Sequence, residues 1–146
     1  MKLRTTGAVL ALVVTLAAPM PATAKDIVPL RRGFYVRADV SCDRASKATL
    51  TLFTGKAFGA QCKAEDVAVV KPAKGARMLE TQVGQTCRDS GYVSRDTRLY
   101  RIANDHEFVV AIADQEIPYR LCPQDELPPP WSAEDLSALQ RCADLE

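Results

Sequence analysis

The sequence predicts an all-β protein, a small antiparallel barrel or sandwich of seven to eight strands followed by a C-terminal helix. Three observations carry this. Short apolar runs alternate with period two and are separated by turn residues. One stretch, Thr97 to Ile112, has the form of a β-hairpin. Five cysteines stand in a chain whose N-terminus directs export, the setting in which disulfides hold small domains together. The 146 residues are 47% hydrophobic and 25% charged, which is globular and excludes a collagen-like fibre or a wholly disordered chain. A formal net charge of +1 argues against a protein built mainly to neutralise nucleic acid.

The export signal is read first. Lys2 and Arg4 precede an apolar run from Gly7 to Ala18, Pro19 and Pro21 end it, and Ala22-Thr23-Ala24 supplies small residues at a cleavage site. This is the three-part pattern of a secretory signal peptide. The run is shorter than the roughly 20 apolar residues that span a bilayer, so no transmembrane anchor is expected in the mature chain. Cleavage near Ala24 sends the chain to the periplasm or beyond. The expected organisation is a signal over 1–24, a disulfide-stapled β domain over 25–122, and a Pro-rich linker with an amphipathic helix over 123–146. Charge is segregated: residues 25–101 carry 15 Lys/Arg and 8 Asp/Glu, and residues 102–146 carry 2 and 10. Consecutive strands usually lie side by side, so the two halves are expected to interleave.

The cysteines are Cys42, Cys62, Cys87, Cys122 and Cys142. None forms a Cys-x-x-Cys pair, so neither a thioredoxin-type site nor a zinc ribbon is indicated. Two bridges and one remaining thiol is the natural count. Sequence leaves the pairing open. Closing the shorter loops favours Cys42–Cys62 and Cys87–Cys122, with Cys142 as the odd thiol, free to link two chains into a dimer or to displace one of these partners.

The elements follow in order. Gly33-Phe34-Tyr35-Val36-Arg37 is a first short strand. Ala48 to Phe53 alternates, with Leu50 and Leu52 on one face and Thr49 and Thr51 on the other, and Thr54-Gly55-Lys56 turns the chain. Val67-Ala68-Val69-Val70 is a third apolar run, and the Pro and Gly of 71–77 mark a loop. Met78 to Val83 alternates Leu79, Thr81 and Val83 with Glu80 and Gln82. In the hairpin, Asn104-Asp105 supplies residues that tolerate positive φ at a two-residue turn. That turn sets Leu99 opposite Val110 and Arg101 opposite Phe108, puts Leu99, Phe108, Val110 and Ile112 on the core face, and pairs Tyr100 with Val109 on the other. Ile117 to Leu121 is the last strand, and Pro118, lacking an N–H, places it at an edge. Pro123 and Pro128-Pro129-Pro130 read as a stiff extended linker. A helix then starts with Ser132 as cap and Asp135 three residues on, a capping-box variant, with Trp131 and Leu136 as a hydrophobic staple. Leu136, Leu139 and Ala143 recur at helical spacing, with Cys142 beside them.

Chemistry-bearing patterns are sparse. His106 is the sole histidine, flanked by Asp105 and Glu107, but it follows a turn and lacks further ligands at metal-site spacing. No serine sits in a Gly-x-Ser-x-Gly elbow, and no phosphate-cradling glycine loop is present. Cys142 lies in an acidic tail, the wrong setting for a reactive thiolate. The carboxylate pairs Asp125-Glu126 and Glu134-Asp135 fall on the linker and the first helical turn, not across a cleft. No catalytic residue, metal site or cofactor is therefore expected. The strongest contact-surface pattern is Arg88, Tyr92, Arg95, Arg98, Tyr100 and Arg101, a run of Arg interleaved with Tyr, residue types favoured at binding hot spots. The bland reading is a solvated strand face.

Gly33-Phe34-Tyr35-Val36, Ser41-Cys42, Ala45-Ser46-Lys47-Ala48 and Thr54-Gly55-Lys56 resemble a shared element of a loose group of exported proteobacterial proteins: Gly-aromatic-Tyr-Val, then Cys, then a small-residue strand ending at Gly. The likeness spans about 25 residues; it implies export and carries no site residue. In architecture the chain is also similar to the small disulfide-bonded β domains that inhibit lysozyme in bacteria. Ser90-Gly91-Tyr92 is similar to their Ser-Gly-x-x-Tyr segment at a different spacing, so their inhibitory residues are not carried over. The expected function is a non-catalytic binding or inhibitor module for a protein or envelope-polymer partner. A small periplasmic hydrolase and a structural envelope component, dimeric through Cys142, are the alternatives.

Overall fold

The structure, a computed structural model, describes residues 25–70, 74–75, 77–137 and 139. The expected signal peptide over 1–24 and Cys142 lie outside the described residues. Seven strands form one antiparallel sheet: β1 (Gly33–Arg37), β2 (Leu50–Phe53), β3 (Cys62–Val70), β4 (Leu79–Asp89), β5 (Tyr92–Asn104), β6 (Glu107–Ile112) and β7 (Gln115–Leu121). The spatial order is β2-β1-β7-β6-β5-β4-β3. The sheet curls into a half-barrel, so the expected all-β class holds while the closed barrel and the two-sheet sandwich do not.

A plug replaces closure. The chain leaving β2 turns at Gly55 and returns across the concave face, where Phe58 bridges Phe53 and stacks on Tyr100 with ring centroids 3.9 Å apart. Gly55 has φ +85, and a Cβ there would stand 2.6 Å from Asp26 Oδ1, so only glycine lets the Asp26–Arg32 ion pair (2.5 Å) sit against this turn. Around Phe58 gather Val28, Leu30, Tyr35, Phe53, Val83, Tyr100, Ile102, Phe108 and Val110. A second cluster lies on the opposite face of β1 and β2: Phe34, Val36, Cys42, Ala45, Leu52, Cys122 and Leu127, with Leu50, Trp131, Leu136 and Leu139 at its border. Phe34, Tyr35 and Val36 are all buried because β1 has a core on both faces. Leu50 and Leu52 share the second cluster, as their alternation predicts.

The β5–β6 hairpin differs from the expected one by one residue. Asp105-His106 forms the turn, Asn104 pairs with Glu107, and an irregularity interrupts the ladder between Ile102 and Asn104. Tyr100 thus opposes Val110 and Ile102 opposes Phe108. A single-residue slip exchanges the faces of a strand, so Tyr100 and Ile102 enter the core and Leu99 leaves it. The reason lies in local bonds: Asn104 Oδ1 accepts from His106 N–H (3.0 Å), and Asn104 Nδ2 donates to Glu107 Oε2 (2.8 Å), which ties Asn104 to the strand end instead of the turn centre.

β7 is an interior strand between β1 and β6, not an edge. Pro118 is tolerated because β1 stops at Arg37, opposite Tyr119, and the Pro118 carbonyl accepts from Ala38 N–H at 2.9 Å. Its missing donor falls where the ladder ends.

The disulfides are Cys42–Cys122 and Cys62–Cys87, the expected four cysteines in a different pairing. Short-loop closure loses to strand register. Cys62 and Cys87 are direct partners in the β3–β4 ladder. Arg88 N–H donates to Gln61 O (3.0 Å), which makes 61/88 a hydrogen-bonded pair and 62/87 the adjacent non-hydrogen-bonded pair, where side chains approach closest. Cys42 and Cys122 meet because β1 and β7, which precede and lead into them, are neighbours.

After β7 the proline segment does not run as an extended linker. It folds into 3-10 turns at Gln124–Glu126 and Trp131–Ala133, with Leu127 buried in the second cluster. Burial of Leu127 and partial burial of Trp131 outweigh the extended preference of the prolines. Ser132 is not a helix cap. It lies inside the second turn, and Asp135 Oδ1 accepts from Ser137 N–H (2.9 Å) instead. Of the expected helix, Ala138 and residues 140–146 lie outside the described residues. Arg32 Nη1 donates to Leu139 O (2.8 Å), joining the segment before β1 to the C-terminal docking segment.

Candidate binding face

Strands β3, β4 and β5 are the longest of the sheet, and β4 and β5 continue past the core into a two-stranded arm. The arm turns at Ser90-Gly91, where both residues have positive φ (48 and 85), the geometry that lets a two-residue hairpin match strand twist. The Cys62–Cys87 bridge ties β3 to the base of this arm.

Register decides which expected contact residues share a face. Successive side chains alternate across a strand. Val83 and Tyr100 are buried in the concave core, so Tyr92, Arg98 and Tyr100 belong to the concave side, and Arg95 and Arg101, with Arg88 opposite Val93, belong to the convex side. The six-residue run therefore does not form one patch. Tyr100 is withdrawn altogether: it is 2% exposed, stacked on Phe58, and desolvation holds its phenol far above the usual range. Arg101 is consumed by structure, since its Nε donates to Glu80 Oε1 (2.9 Å) and its Nη1 meets Glu116 Oε1. Arg98 pairs with Asp96 at 2.6 Å.

Arg88 and Arg95 remain, both exposed and, among the described residues, without an ion pair. The β3–β4 and β4–β5 registers set Lys63, Thr86 and Arg95 in one row across the convex face, with Gln61, Arg88 and Val93 in the next. Lys63 is the residue missed in sequence. It lies 25 residues before Arg88, and only the strand register brings it to the pair. The three cations lack an acidic neighbour in their own rows. Asp89 and Asp96 follow Arg88 and Arg95 in the chain on the concave side, and Glu65 and Asp66 stand at the β3 irregularity, where a notch of about 290 Å³ is lined by these two acids with Arg95 and Asp96. At the arm's tip Tyr92 is 78% exposed and Val93 52%.

His106 serves the β5–β6 turn. Its Nδ1 lies 2.6 Å from Asp105 Oδ1, and this hydrogen bond holds the Asp105 carboxyl below the usual carboxylate range. Its carbonyl accepts from Leu121 N–H (2.8 Å). Among the described residues no three His, Cys, Asp or Glu side chains converge on a point. Two larger clefts, about 580 and 530 Å³, are lined by the 25–30 segment with Leu79 and by Arg31, His106, Gln124 and Leu136.

Intramolecular disulfides are consistent with an oxidising, exported location, and no described helix is long and apolar enough to cross a membrane. No family model matches the chain, and no curated protein or solved structure matches it either.

Proposed function

We propose that this chain is a non-catalytic binding module, exported to the periplasm with cleavage near Ala24, which holds an acidic protein or envelope polymer. The contact is the convex face of β3, β4 and β5, carrying Lys63, Arg88 and Arg95, with Val93 on the same face at the arm's tip and Tyr92 beside it on the concave side. The observation that carries this reading is the contrast among the arginines of β4 and β5. Arg98 and Arg101 are neutralised within the fold, whereas Arg88 and Arg95 stand beside Lys63 without an ion pair among the described residues. A cationic row on a flat face steers and retains anionic partners.

The test is retention. Immobilised protein is washed with envelope extract at low and at high salt. The reading expects an anionic protein or glycan to be held at low salt and released as salt screens the contact. If nothing is retained at either salt, or if the retained species is indifferent to salt, the reading is wrong.

A further inference from the structure

The two ends of the sheet are treated differently by the chain. At β2 the outer edge is covered by its own return: Gly59 N–H donates to Leu52 O (2.7 Å), Thr54 N–H donates to Ala57 O (3.1 Å), and Phe58 bridges Phe53. At β3 nothing in the described residues covers the outer edge, and the strand is nine residues long. An uncovered edge offers alternate N–H and C=O groups to another strand.

The half of β3 nearer the arm is guarded. The irregularity between Ala64 and Asp66 and the adjacent carboxylates Glu65 and Asp66 are devices that discourage pairing. The other half, Val67-Ala68-Val69-Val70, has no such guard. Val67 lies opposite Val83, which is fully buried, and Val69 lies opposite Thr81, likewise fully buried, yet Val67 is 39% exposed and Val69 65%. The apolar concave face thus continues onto β3 and ends there uncovered.

We infer that this edge pairs with β3 of a second copy, antiparallel, with a two-fold axis at Ala68. Charge and apolar matching together select this arrangement. Registers centred on Glu65 or Asp66 would set each carboxylate against its own copy, which is destabilising. The register centred on Ala68 sets Val67 against Val69 of the other copy, twice, and moves the two acidic pairs to opposite ends of the contact. Both valines then lie on the concave side, where they extend the existing apolar face. An isologous interface demands that a surface be its own complement, and this run meets the demand. The contact uses the end of β3 remote from Lys63, so it stands apart from the proposed binding face.

Sedimentation equilibrium on the exported protein carrying Cys142→Ser, which removes the odd thiol, tests the pairing. The expected mass rises from one chain to two between micromolar and millimolar protein. Val69→Lys, an exposed position, should keep the mass at one chain over the same range. Ala68→Cys in the Cys142→Ser background should oxidise to a covalent dimer, because the axial pair faces itself, while Gln82→Cys, one strand inward on the same face, should not. A single-chain mass at every concentration overturns the inference. So does a dimer that survives Val69→Lys, or one in which Ala68→Cys cross-links no faster than Gln82→Cys.

Discussion

The side-chain amide of Gln85 pairs with both backbone groups of Phe58: Nε2 donates to the carbonyl at 2.9 Å and Oε1 accepts from the N–H at 3.1 Å. A side chain here stands in for a strand. β4 thereby grips the segment that crosses the concave face, and Phe58 is set on Tyr100. Gln85 is itself buried, so both partners are sheltered from water. Gln85→Ala is expected to cost roughly 2–6 kcal/mol, because it orphans one buried donor and one buried acceptor at about 1–3 kcal/mol each. Urea titration should show a lower midpoint. An unchanged midpoint would mean that the plug is held by ring packing alone.

The two disulfides close loops of different length, with sequence separations of 80 for Cys42–Cys122 and 25 for Cys62–Cys87. On the chain-entropy account, loss of the first costs about 4.5 kcal/mol and of the second about 3.5 kcal/mol. The double substitution Cys42→Ser/Cys122→Ser should therefore destabilise more than Cys62→Ser/Cys87→Ser in thermal melts. The first pair also carries Arg120, whose Nη1 lies 3.0 Å from Cys42 Sγ and whose Nη2 donates to Val40 O at 2.8 Å. The opposite order of melting temperatures would remove loop length as the governing quantity.

Alkaline stability follows from the buried phenols. Burial raises the Tyr35 and Tyr100 hydroxyls well above the ordinary value of 10.0, and Tyr119 is raised in the same way. Below the unfolded-state value both states hold these protons, and stability does not depend on them. Above it the unfolded chain releases protons that the folded chain retains. Stability is then expected to fall by about 1.4 kcal/mol per pH unit for each retained proton, and this contribution is gone once pH passes the folded values. Denaturation midpoints should be flat approaching pH 10 and fall steeply beyond it. Tyr35→Phe should make the fall shallower, even though it loses the hydroxyl's 2.7 Å contact with Arg31 O. An equal slope in that variant would contradict the assignment.

Much of the fold could be read from alternation. Leu79, Thr81 and Val83 face inward as their spacing predicts, and Leu50 and Leu52 share a face. What failed was information held in register. Asn104 and Asp105 are both good turn residues, and only the hydrogen bonds of the Asn104 side chain place the turn at Asp105-His106. That one step moved Tyr100 from a surface residue to the centre of the core, while the odd spacing of Arg95, Arg98 and Arg101 along β5 divides them between two faces in either register. The cysteine pairing failed for the same reason, since sequence separation says nothing about which strands are neighbours. Lys63 was invisible for want of a strand order. Pro118 misled because a missing donor matters only where a partner strand continues.

The arginines separate stability from contact. Arg101 on β5 bridges Glu80 on β4 and, across β6, Glu116 on β7, and is partly shielded, so Arg101→Ala should cost about 1 kcal/mol. Arg88→Ala and Arg95→Ala should each stay within roughly 0.5 kcal/mol of the parent, as exposed positions without an ion pair among the described residues. Chemical denaturation of the three variants checks the ranking. A large loss at Arg88 or Arg95 would show that the fold, and not a partner, uses them.

The most direct measurement is equilibrium binding of the component retained from envelope extract by the wild-type protein and by the triple reversal Lys63→Glu/Arg88→Glu/Arg95→Glu. The account predicts a loss of affinity of about a hundredfold or more with the melting temperature preserved, since like charges set together across a contact cost several kcal/mol. Unchanged affinity in the folded triple variant would contradict it.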